Sequence, residues 1–156
     1  MRANEGCPVV LVVDDDEDYL MMLEASFDAA GFVVQTALSF AQARTKLFEH
    51  HIDALVADLT LGDGSALDLL HPLGDDRPTV AVVLSGFDRP EDFDRTLAAG
   101  FDAHLVKPMP FDRLVHIISD GLYSRESGVL RARPCTEMPL SGAWNTEPGV
   151  SAQAAV

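Results

Sequence analysis

Basic residues are scarce in this chain of 156 residues: 11 Lys and Arg stand against 25 Asp and Glu, a formal net charge of −14. Up to Arg125 there are 22 acidic and 9 basic residues, and beyond it 3 and 2. The acidity therefore belongs to the patterned part of the chain and not to a separate tail. Nucleic-acid binders need a basic face to displace counterions from phosphates. No Lys/Arg cluster exists here, so the expectation is no nucleic-acid contact by this chain alone. Long apolar runs are missing too. Val9–Val13 and Val80–Leu84 are far shorter than the roughly 20 residues a membrane-spanning helix needs, and residues 1–6 contain no signal-type apolar stretch. A cytoplasmic protein without membrane insertion is expected. There are only two cysteines, Cys7 and Cys135. Neither has a CxxC or Cys/His spacing, and two free thiols are expected, with one disulfide between the two ends the alternative. The pair His50-His51 lacks the supporting ligands of a metal site.

What the chain does contain is alternation. Val9–Val13, Val33–Thr36, Ile52–Ala57, Val80–Leu84 and Ala103–Val106 read as five short strands, several of them apolar at every position. Between them run helical patterns. Leu20, Leu23, Phe27 and Ala30 recur at helical spacing before Gly31, which serves as a C-cap. Ser39 is an N-cap for a helix through His50, with Phe40, Ala43, Leu47 and His50 on one face. A short helix is expected near Ala66–His71, stopped by Pro72. Another starts around Pro90 and ends at Gly100. Phe111, Leu114, Val115, Ile118 and Leu122 line a last one. Five strands and five helices in alternation imply a parallel sheet covered on both faces, the doubly wound α/β class. The expected organisation is an N-terminal extension over 1–7, one domain over 8–123, and a flexible tail over 124–156, where Pro, Gly and Ser break all periodicity.

In open α/β sheets, ligands bind beyond the carboxyl ends of the strands. The residues that follow each strand are therefore informative. The first strand ends in Asp14-Asp15-Asp16, the third at Asp58, the fourth at Ser85-Gly86, and the fifth at Lys107-Pro108. Carboxylates, one hydroxyl and one ammonium would meet on one rim. Clustered carboxylates repel, so they hold a proton or a metal, and hard oxygen donors with few direct carboxylates suit Mg²⁺. A metal and a Lys can neutralise a transferring phosphoryl group while a carboxylate attacks it. Each residue alone has a plainer reading: a solvated helix start, a surface lysine, a loop serine. Their joint placement is what points to phosphoryl transfer.

At these residues the sequence resembles the receiver domain of bacterial two-component response regulators. The matching segments are Val10-Leu-Val-Val-Asp-Asp-Asp, Asp53-Ala-Leu-Val-Ala-Asp-Leu-Thr-Leu-Gly-Asp-Gly-Ser, Val82-Val-Leu-Ser-Gly and Ala99-Gly-Phe-Asp-Ala-His-Leu-Val-Lys-Pro. The resemblance implies a flavodoxin-like (βα)5 fold with sheet order 2-1-3-4-5. It implies that Asp58 is the phosphoacceptor, taking a phosphoryl group from a sensor histidine kinase or a histidine phosphotransfer protein. Asp15 would be the more direct Mg²⁺ ligand, Asp14 would act largely through water, and Asp58 and the backbone carbonyl of Thr60 would complete the protein ligands. Lys107 would pair with Asp58 and then with the phosphoryl oxygens, with a cis bond to Pro108. Ser85 would be the switch hydroxyl. His104 takes the place of the switch aromatic, and an imidazole differs from Tyr or Phe in that it can titrate. Gly62 stands where Pro is frequent, which implies a more mobile loop after Asp58. Asp16 is expected to be exposed and not a ligand. Thr60 and Phe87 would flank the route of attacking water and tune the lifetime of the phosphorylated state.

Output is expected through a protein surface, the face over about Glu91–Leu122, since the 33 residues after Tyr123 are too few and too aperiodic for a helix-turn-helix domain. A free-standing regulator and the terminal receiver of a hybrid kinase are both compatible with the resemblance, the former favoured. The competing enzyme class is a Mg²⁺-dependent phosphatase of the haloacid-dehalogenase type. Its Asp-x-Asp nucleophile motif is formally matched by Asp14-x-Asp16, but no later acidic pair follows Lys107 and there is no room for a cap domain. A phosphorylation-independent interaction module would be marked by a missing site residue, and none is missing. No separate substrate turnover is expected.

Overall fold

A computed structural model describes residues 7–86 and 90–124. The residues before Cys7, residues 87–89 and the expected tail beyond Ser124 lie outside the described residues. Five strands form the central sheet: β1 (Val9–Val13), β2 (Val33–Ala37), β3 (Ala54–Asp58), β4 (Val80–Ser85) and β5 (Ala103–Val106). All are parallel, in the order β2-β1-β3-β4-β5, the doubly wound arrangement expected. The α-helices are α1 (Glu17–Ala29), α2 (Phe40–Glu49), α3 (Pro90–Ala98) and α4 (Phe111–Ser124).

The all-apolar strands are explained by two-sided burial. Val10 and Val12 of β1 enter one core layer with Leu23 and Phe27 of α1 and Leu114 and Ile118 of α4. Leu11 and Val13 point the other way, into a layer with Ala43 and Leu47 of α2, Leu70 and Phe101. Successive side chains alternate between faces, so a strand covered on both sides has no solvent-facing position left for a polar residue. Burying a Leu or Val side chain contributes about 1.5–3 kcal/mol. Phe27 meets Phe32 edge-to-face at 5.2 Å. The edge strands β2 and β5 are only half-buried through most of their length.

The helix ends follow the sequence signals. Asp16 caps α1, accepting from the backbone N–H of Asp18 and Tyr19, and Ser39 caps α2 through the N–H of Gln42. Gly31 and Gly100 follow α1 and α3 with φ of 96° and 99°, a conformation Gly adopts without steric cost. Two expectations are corrected. The helix expected near Ala66–His71 is instead two 3₁₀ turns, Ala66–Asp68 and His71–Asp76. Pro72 sits inside the second turn instead of ending the first, because an early position in a turn needs no N–H from it, and Gly74 leaves helical angles two residues later. Cys7 is not a free thiol but disulfide-bonded, and no described cysteine is free; its spacing from other residues carries no signal of this. His50 is exposed and does not join the apolar face of α2.

Candidate functional site

Strand register sets the rim. Val13 pairs with Ala57, so the residues that follow, Asp14 and Asp58, leave the sheet side by side. Ser85 pairs with Val106, and the Lys107 N–H donates to the Ser85 carbonyl at 2.8 Å. This brings the lysine to the same edge. The Lys107–Pro108 bond is cis, as expected.

The Lys107 ammonium lies 2.9 Å from Asp14 Oδ2 and 3.2 Å from Asp58 Oδ1. Asp14 is 1% exposed, and both its oxygens are engaged, since Oδ1 accepts from the N–H of Asp16 at 2.9 Å. Asp15 is exposed and projects at the mouth. Oxygens of Asp14, Asp15 and Asp58 all lie within 4.8 Å of one another. Three hard carboxylate donors at that separation fit a small divalent cation with retained waters, the Mg²⁺ pattern.

Burial is the main reason the Asp58 carboxyl is pushed above its usual range, with the Asp14 and Asp15 charges adding to it and Lys107 opposing. Burial works to lower the Lys107 pKa, but the hydrogen bond to Asp14 and the Asp58 charge outweigh it, and the ammonium is held above its usual value. The site therefore carries surplus negative charge around one well-anchored cation. That is an arrangement for receiving cations and for neutralising an incoming anionic group only at the lysine.

Ser85 is buried at the end of β4, and Thr60 is exposed two residues beyond Asp58, both on this rim. Phe87, expected to shield the route of water, lies outside the described residues. Asp16 is exposed, as expected, and its carboxylate acts as the α1 cap. His104 is half-buried. Its Nδ1 lies 2.8 Å from Thr96 Oγ1, and Thr96 donates its one proton to the Asp92 carbonyl at 2.8 Å. Phe93 meets the imidazole edge-to-face at 4.5 Å, and Nε2 is buried with no hydrogen-bond partner among the described residues. The position is thus built into α3 and is not a loosely held strand-end histidine.

Two neighbours of the site were not singled out in the sequence. Tyr19 lies beneath Lys107, and its place four residues after Asp15 on the first turns of α1 was the available signal. Asp63, in the short hairpin of Thr60–Leu61 with Gly64–Ser65, accepts from the N–H of Phe40 at 2.7 Å and of Ala41 at 3.1 Å. The loop after Asp58 is thereby tied to the start of α2, despite Gly62. These bonds, Phe40 first, hold the Asp63 carboxyl below its usual value of 3.8. A lowered carboxyl stabilises above its unfolded pKa and loses that contribution as pH falls through the folded value. In hydrogen exchange, protection of the Phe40 and Ala41 amides should fall in Asp63→Ala at neutral pH, and in the parent chain only once pH has dropped below 3.8 and through the folded value. Unchanged protection would show that Ser39 suffices as the cap.

The fold and the rim together define a class, and comparison with known proteins names it. The response regulator receiver domain family matches residues 10–119, and the chain belongs to it. Receiver domains are the phosphoacceptor modules of two-component systems and generally hold Mg²⁺ in an acidic pocket; they work with histidine kinases and downstream effectors. Among relatives, the transcriptional regulatory protein PrrA of Mycobacterium leprae is 37% identical over 139 residues, covering 87% of this chain and 55% of that protein. The chain spans about half the length of the curated relatives it matches. A CheY-like receiver domain from Methanospirillum hungatei superposes with a TM-score of 0.73 at 24% identity, over 79% of this chain and 99% of that one. The receiver domain of Francisella response regulator 1452 gives 0.69 at 26% identity, over 76% and 98%. No described helix is long and apolar enough to cross a membrane.

Proposed function

We propose that this chain accepts a phosphoryl group from a phosphohistidine onto Asp58, with Mg²⁺ bound, and signals through a protein surface. The observation that carries this reading is the convergence of Asp14, Asp15 and Asp58 on one side of Lys107, at the C-terminal edge of a parallel sheet. An Asp58 oxygen forms the P–O bond as the P–N bond breaks, its electron pair leaving on the imidazole nitrogen. Asp15, Asp58 and the Thr60 carbonyl would hold the ion directly. Asp14, whose two oxygens are spoken for, would act through water. The bound ion supplies positive charge against the phosphoryl oxygens. Lys107 stays on the Asp14 carboxylate and turns its remaining N–H groups to those oxygens. Ser85 donates to one of them, and His104 reports the change to α3. No separate substrate is turned over.

The output surface in this reading is α3, β5 and α4, about Glu91–Leu122, where Leu97 is 56% exposed. PrrA is by name a transcriptional regulator; the acidic receiver part matched here is read as a protein-binding module that makes no nucleic-acid contact itself, in the cytoplasm. Phosphoramidate carries the same P–N bond as phosphohistidine and tests the reading directly. The full chain should gain one phosphoryl group in a Mg²⁺-dependent manner, and the adduct should be lost to hydroxylamine, as an acyl phosphate is. A hydroxylamine-stable adduct would place the phosphoryl group on a hydroxyl and contradict it.

A further inference from the structure

Lys107 has a third neighbour besides its two carboxylates. Its Nζ stands 4.4 Å from the centroid of the Tyr19 ring, and that ring packs in turn against Phe111 at 5.5 Å. Tyr19 belongs to the start of α1 and Phe111 to the start of α4, so the ring bridges two helices directly below the ammonium. We propose that Tyr19 is a positioning residue for phosphoryl transfer, its ring face fixing the Lys107 ammonium at the site while the charge on Asp58 changes hands. This rests on the reading of Asp58 as the phosphoacceptor.

The physical need follows from what phosphorylation does to the lysine. In the resting site Lys107 is held from one side by Asp14 and Asp58. When Asp58 forms the P–O bond, its charge moves outward onto the phosphoryl oxygens, and one of the two anchors is lost. A ring face attracts the cation through its quadrupole and accepts no proton. It holds the ammonium without taking it from the phosphoryl group, which a third carboxylate would do. Burial raises the phenol pKa, so Tyr19 is neutral at working pH and acts as a ring, not as a phenolate. Its hydroxyl is buried with no hydrogen-bond partner among the described residues. No described contact therefore requires the hydroxyl, and Tyr19→Phe isolates the ring.

The test compares the full chain with Tyr19→Leu and Tyr19→Phe. Tyr19→Leu should slow Mg²⁺-dependent phosphorylation by phosphoramidate about tenfold, and Tyr19→Phe should restore the rate to within about twofold. The Lys107 side-chain resonances, read in the unphosphorylated protein, should be shifted upfield by the ring in the parent and in Tyr19→Phe, and lose that shift in Tyr19→Leu. A folded Tyr19→Leu that phosphorylates at the parent rate overturns the proposal. So does an equal loss in both variants, which would assign the effect to the hydroxyl. If the parent itself takes no phosphoryl group, the phosphoacceptor reading fails, while an absent ring shift on Lys107 overturns the positioning role by itself.

Discussion

Lys107→Met should unfold at a temperature about 10 °C lower than the parent in the absence of divalent cations, and should take up phosphoryl groups about 10²–10³-fold more slowly. The stability loss follows from Asp14, which is 2% exposed in its side chain and has Lys107 as its only cationic partner among the described residues. Removing one member of a buried ion pair costs about 3–5 kcal/mol, because the other charge stays behind unpaired. About a quarter of the lysine side chain is exposed, which places this case at about 2–3 kcal/mol. The deficit should be larger at pH 8 than at pH 5. Without the ammonium the Asp58 carboxyl loses the charge that opposes its upward shift, and a raised carboxyl costs stability as pH rises through the folded value. In the parent chain the lysine behaves in the usual sense of a raised base: its contribution is complete below 10.5 and is lost as pH climbs through the folded value. Mg²⁺ should recover part of the deficit, since the ion brings back the missing positive charge. Thermal melts at two pH values, with and without Mg²⁺, check all of this. A variant as stable as the parent at pH 8 would show that the ion pairs of Lys107 contribute nothing to folding.

Asp58→Asn should do the opposite to stability. The Asp58 carboxyl is pushed up mainly by burial, then by Asp14 and Asp15, and Lys107 does not fully compensate. A raised acid favours the folded state only while it keeps its proton, so above its folded pKa the charge is a net cost. Neutralising the group should therefore raise the melting temperature by a few degrees in metal-free buffer. With Mg²⁺ the ranking should narrow or reverse, because the parent gains binding energy that the amide forgoes. A lower melting temperature for Asp58→Asn in metal-free buffer would show that the ion pair with Lys107 outweighs the repulsion.

How much of this was legible beforehand differs by element. β1 and β4 were plain because strands buried on both faces leave no polar position, and the sheet order follows once five such strands alternate with helices in the manner of the family. The rim was legible for a related reason. A parallel sheet gathers every strand's C-terminal end on one edge, so Asp14, Asp58, Ser85 and Lys107 could be placed together without coordinates. The segment after Ser65 was not, because a stretch with Pro72, Gly74 and consecutive aspartates is compatible with several turn types of similar energy. Tyr19 carried no signal of its contact with Lys107, since a ring beneath a lysine 88 positions away leaves no periodic trace. The bonds of Asp63 to Phe40 and Ala41 depend on how two loops meet, which local sequence does not encode. The disulfide at Cys7 has the same character.

The central claim is that Asp58 is the group that receives the phosphoryl. Intact-mass analysis of the full chain and of Asp58→Asn, each incubated with phosphoramidate and Mg²⁺, tests it most directly. The predicted result is a single phosphoryl adduct on the parent that is absent from Asp58→Asn and absent from both without Mg²⁺. An adduct that persists in Asp58→Asn would place the nucleophile elsewhere on the rim, at Asp14 first, and would contradict the account.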